Sequence, residues 1–67
     1  MKDRAAKRSA LITAVNAFKE ATGERLKVFA SLTLNGDYVV SVGDDKYRFY
    51  ENLSAVNKYL RGFMPAD

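Results

Sequence analysis

The chain has no cysteine and no histidine among its 67 residues, and only one proline. Without cysteine there can be no disulfide staple and no thiolate metal site. Without histidine the usual general base and the commonest metal ligand are both missing. Ser9, Ser31, Ser41 and Ser54 therefore have no imidazole to activate them. Lack of cysteine fits a reducing compartment, so a cytoplasmic location is expected. No long apolar run is present either, which argues against a signal peptide, a membrane span or a membrane partner. The single proline, Pro65, lies in the last four residues, where it forbids further helix.

Carboxylates are few and sit where the backbone wants them. Asp37, Asp44 and Asp45 fall in expected turns, a common place for aspartate. Asp44-Asp45 has no further oxygen ligands at useful spacing, so neither a metal site nor a cofactor is expected. Gly36, Gly43 and Gly62 are each explained by a turn or a cap, and no phosphate-cradling loop is implied. The chain is thus expected not to be an enzyme.

What remains is ordinary globular material, 48% hydrophobic and 28% charged. At this length it makes one domain, residues 1–67, of modest core. The net charge of +3 is unevenly placed. Residues 1–8 hold Lys2, Arg4, Lys7 and Arg8 against Asp3 alone. The basic and acidic residues of 9–67 cancel. Basicity therefore belongs to one end of the chain, which reads as a basic N-terminal overhang.

From about Asp3 to Thr22 the pattern is helical. Leu11, Val15, Phe18 and Thr22 recur on one stripe, beside Ala10, Ala14, Ala17 and Ala21. Ser9, Thr13, Asn16 and Glu20 fall on the opposite side. Arg4, Lys7 and Arg8 project onto the apolar stripe, where charged heads cannot be buried unpaired. The first two turns are therefore expected to overhang the sheet or fray. Gly23 suits the position just past the helix end.

Residues 25–50 read as a three-stranded sheet. Leu26, Val28, Ala30 and Leu32 alternate with Lys27, Phe29, Ser31 and Thr33. Asn35-Gly36 signals a hairpin. A three-residue loop, Leu34 to Gly36, pairs Thr33 with Asp37 and aligns Leu32 with Tyr38, Ala30 with Val40 and Val28 with Val42. It is preferred because a one-residue slip would flip the whole apolar set. A turn centred on Asp44-Asp45 then pairs Val42 with Tyr47 and Val40 with Phe49. A second helix is expected over residues 53–61, capped by Asn52 or Ser54 and ended by Gly62, with Leu53, Val56, Leu60 and Phe63 apolar.

The fold class is α+β, in the order α-β-β-β-α. A three-stranded antiparallel meander carries both helices on one face. The expected core is Leu11, Val15, Phe18, Leu26, Val28, Ala30, Leu32, Val40, Val42, Tyr47, Phe49, Val56 and Leu60, with Leu53 and Phe63 at its margin. The open face should carry Lys27, Phe29, Ser31, Thr33, Val39, Ser41, Lys46, Arg48 and Tyr50.

The element order resembles the double-stranded-RNA-binding domain. That family opens its second helix with a lysine cluster, where this chain has Asn52-Leu53-Ser54-Ala55-Val56-Asn57-Lys58. Residues 25–63 also look like the sheet-reading DNA-binding domains of integrase arms. Both likenesses are topological, and no site residue is carried over.

Two functions are expected from these surfaces. The first is nucleic-acid association, with Lys2, Arg4, Lys7, Arg8, Lys27, Lys46 and Arg48 holding phosphates and the aromatics stacking bases. The second is a protein-binding regulator or inhibitor, of the compact sort carried by phages and plasmids. Its contacts would be Phe29, Val39 and Tyr50, and the partner could be a second copy in a homodimer.

Overall fold

Alanine-rich sequence with one apolar stripe forms the first helix, and a glycine stops it. The computed structural model describes residues 2–64, with side chains from Asp3 onward. Helix α1 spans Lys2–Thr22, β1 Val28–Leu32, β2 Tyr38–Val42, β3 Arg48–Tyr50 and α2 Leu53–Arg61. The strands make one antiparallel sheet in the order β1-β2-β3. Helix α1 packs on β1, and α2 packs on β2, β3 and α1. The architecture is the expected α+β meander.

The end of α1 is closed by two left-handed residues, Gly23 at φ +65° and Glu24 at φ +58°. Gly23 N donates to Glu20 O at 3.3 Å, and Glu24 N to Lys19 O at 2.9 Å. This pair of bonds is the Schellman closure of a helix C-terminus. Thr22 on the apolar stripe is buried, and its hydroxyl donates to Phe18 O at 3.0 Å.

The basic first turns of α1 run past the strand end, but they are helical and anchored. Arg4 Nη1 donates to Thr33 O at 2.7 Å, and Lys7 Nζ donates to Gly36 O at 2.9 Å. The Lys7 ammonium also stands 5.9 Å from the centre of the Tyr38 ring. Backbone carbonyls of the β1–β2 turn thus receive charges that the core could not.

The first hairpin has the expected register, with Leu32 opposite Tyr38, Ala30 opposite Val40 and Val28 opposite Val42. Gly36 takes φ +88°, and Thr33 N donates to Asp37 O at 2.8 Å.

The second hairpin corrects the expectation by one residue. Tyr38 pairs with Tyr50, Val39 with Phe49 and Val40 with Arg48. The turn starts earlier than Asp44-Asp45. Asp45 N donates to Val42 O at 3.1 Å, and Gly43 sits first in the turn at φ +61°. Such a turn alone would bring Tyr47 opposite Val40, so one extra residue is taken up before Arg48. Because side chains alternate, this flips the whole of β3. Tyr47 and Phe49, expected in the core, are 62% and 66% exposed. Arg48 and Tyr50, expected on the open face, lie on the helix side.

Helix α2 is capped by Asn52, whose Oδ1 accepts from Ala55 N at 2.9 Å. The buried core is Leu11, Val15, Phe18, Tyr38, Val40, Val42, Val56 and Leu60. Leu26, Val28, Ala30, Leu32, Tyr50, Leu53, Tyr59 and Met64 pack around it. Phe63, expected at the core margin, is exposed. It instead stacks edge-on against Tyr59, with ring centres 5.1 Å apart.

Candidate interaction surface

The face of the sheet away from the helices is built by alternation on three strands. Phe29 comes from β1, Val39 and Ser41 from β2, and Phe49 from β3, with Tyr47 just before it. Phe29 and Tyr47 meet edge-on at 5.3 Å between ring centres. Ser41, on the central strand between them, is buried. Its hydroxyl donates to Asp45 O at 3.3 Å. Val39 stands directly between Ser31 and Phe49. Phe29, Tyr47 and Phe49 are all exposed. The uncovered face is thus more aromatic than the sequence led one to expect, and it lacks Arg48.

Arg48 is engaged on the other side. Its Nε donates to Asp45 Oδ2 at 3.3 Å. Its guanidinium carbon lies 5.9 Å from the centre of the Tyr59 ring. The Tyr59 hydroxyl donates to the same Asp45 oxygen at 2.6 Å. Tyr50 packs beside Tyr59, ring centres 5.8 Å apart. The Tyr59 hydroxyl bond, followed by Arg48, holds the Asp45 carboxyl below its ordinary range. Burial, and then Asp45, push the Tyr59 hydroxyl above its ordinary value. The bond to Asp45 raises Arg48 in turn. This cluster ties α2 to the β2–β3 turn.

No protein-family model matches the chain, and neither does any curated protein or solved structure. Its surface is therefore read from its own chemistry. Among the described residues, no helix is long and apolar enough to cross a membrane.

The cations named from the sequence do not gather at one place. The Lys2 side chain lies outside the described residues. Arg4 and Lys7 are bonded to the β1–β2 turn. Lys27 and Lys46 are exposed at the opposite end of the sheet, by the β2–β3 turn. Arg8 is exposed on α1. Of the residues expected to meet a partner, Phe29 and Val39 share the open face, whereas Tyr50 does not. Tyr47 and Phe49, expected in the core, stand on that face instead, and no turn signal in the sequence announces it. A two-residue turn led by Gly43 would by itself leave Tyr47 opposite Val40 on the core side, so it is the extra residue before Arg48 that decides the face.

Proposed function

We propose that this chain is a small non-enzymatic protein-binding module that docks through the open face of its sheet. The observation that carries the reading is the cluster of Phe29, Tyr47 and Phe49 exposed on a face no helix covers. Aromatic rings with a polar neighbour such as Ser31 are the composition of an interface centre. Lys27 stands at one end of that face, as a polar rim would, with the exposed Lys46 nearby by the β2–β3 turn.

Nucleic-acid association is the second reading. It draws on the exposed cations Arg8, Lys27 and Lys46 and on base stacking by the same rings. It is weakened by the removal of Arg48 to the helix side and by the anchoring of Arg4 and Lys7.

The two readings separate on salt and on side chain. The chain and its Phe29→Ser/Phe49→Ser variant are used as bait in host lysate at about 0.3 M salt, where exposed charge contacts are largely screened. The reading expects a partner held by the parent chain and lost by the variant. Equal retention by both would overturn it. Parallel titrations against duplex DNA, duplex RNA and single strands test the second reading. Binding that falls steeply with salt, and is lost on Arg8→Ala/Lys27→Ala/Lys46→Ala, would establish it instead.

A further inference from the structure

The sheet has a second unsatisfied feature, the free edge of β1. Bonds from Thr33 N to Asp37 O and from Gly43 N to Lys27 O set the alternation along the strand. Lys27, Phe29, Ser31 and Thr33 therefore turn their backbone groups to β2. The N–H and C=O of Val28 and Ala30 point away from the sheet. Beside this edge, α1 leaves a groove of about 610 Å³. Its floor is apolar, with Val28, Ala30 and Leu32 from the strand and Ile12 from the helix. Ile12 is 53% exposed there. Its charged lining is of one sign: Arg4, Arg8 and Lys19 border it, and no aspartate or glutamate does.

We infer that this groove takes an extended acidic peptide, which pairs with β1 as a fourth strand. Outward-facing amides and carbonyls are satisfied by another backbone in the extended state. Arg8 and Lys19 select carboxylates on that backbone, Arg4 being bonded to Thr33 O. A second copy of this chain is disfavoured as occupant, because pairing β1 with β1 would bring the same cations together. A nucleic acid would answer the charge but leave the edge amides and carbonyls without a matching ladder. Arg8 and Lys19 lie eleven residues apart on α1, roughly 16 Å along its axis. An extended chain covers that span in about five residues. The surface is distinct from the Phe29–Tyr47–Phe49 face, and the inference does not rest on that reading.

The test uses a fluorescein-labelled peptide of alternating glutamate and valine, about seven residues long. Fluorescence anisotropy should show saturable binding to the parent chain. Arg8→Glu/Lys19→Glu, with its fold checked by circular dichroism, should weaken binding roughly tenfold or more. The same peptide N-methylated at alternate residues keeps its charge but loses one pairing edge, and should not bind. The amide resonances of Val28 and Ala30 should shift on titration and gain protection from exchange. Phe49→Ser should bind as the parent does, so the sheet-face reading and this one fail separately. No binding, indifference to charge reversal, or equal binding of the N-methylated peptide would each overturn the inference. So would displacement of the peptide by oligothymidylate at lower concentration than by unlabelled peptide, which would assign the groove to nucleic acid. A β1-paired dimer in light scattering would assign it to a second copy.

Discussion

Tyr59 donates its hydroxyl to Asp45 Oδ2 at 2.6 Å, joining the last turn of α2 to the turn between β2 and β3. Arg48 reaches the same oxygen from β3. One carboxylate thus fixes a helix, a turn and a strand.

That arrangement makes stability depend on pH in two windows. The Asp45 carboxyl is held below its ordinary value of 3.8, by the Tyr59 bond first. Its contribution is full above that value and is lost as pH falls through the lower folded one. The Tyr59 hydroxyl is raised above its ordinary 10.0, by burial first. Its contribution is full below that value and is lost as pH rises through the higher folded one. Urea midpoints measured across pH should fall at both ends for the parent chain. Asp45→Asn should flatten the acid limb, and Tyr59→Phe the alkaline limb. An unchanged acid limb in Asp45→Asn would count against the cluster.

The register of β3 can be tested by charge. Phe49 is 66% exposed on the open face, whereas Tyr50 packs against Tyr59 and the core. Phe49→Lys should change stability by no more than about 0.5 kcal/mol. Tyr50→Lys should cost about 1–3 kcal/mol, from lost packing and a cation placed against apolar neighbours. Chemical denaturation of the two variants decides the matter. The opposite ranking would restore the register with Phe49 inside.

The anchoring of α1 predicts where protection resides. Arg4 and Lys7 hold the first two turns to the carbonyls of Thr33 and Gly36. In Arg4→Ala/Lys7→Ala, amide exchange over residues 6–8, the first amides bonded within the helix, should quicken while the amides of Val15 and Phe18 stay protected. The loss in global stability should be small, about 1 kcal/mol or less, because both bonds are near solvent. Equal protection of the first turns in parent and variant would show that the bonds do not hold the helix end.

The sequence disclosed the elements and the first hairpin, because both rest on strong local chemistry. The Leu11–Val15–Phe18 stripe can form only one helix face, and Gly36 can take φ +88° where a branched residue could not. At the second hairpin the apolar pattern and the register disagree. Tyr47 and Phe49 look like core residues, and Arg48 does not. Yet Arg48 and Tyr50 can lie on the helix side because their polar ends meet Asp45 or the surface while their stems pack. The Asp45–Arg48–Tyr59 cluster depends on residues from three elements, and no short-range spacing announces such a meeting. The aromatic face changed its members for the same reason.

The order of the sheet has a kinetic consequence. Each strand pairs only with its neighbour in sequence, β1 with β2 and β2 with β3. Both hairpins can therefore close over short loops before any distant contact is made. Only the contact of α1 with α2 joins the two ends of the chain. The meander should accordingly assemble quickly, and the seating of the N-terminal helix should set the folding rate.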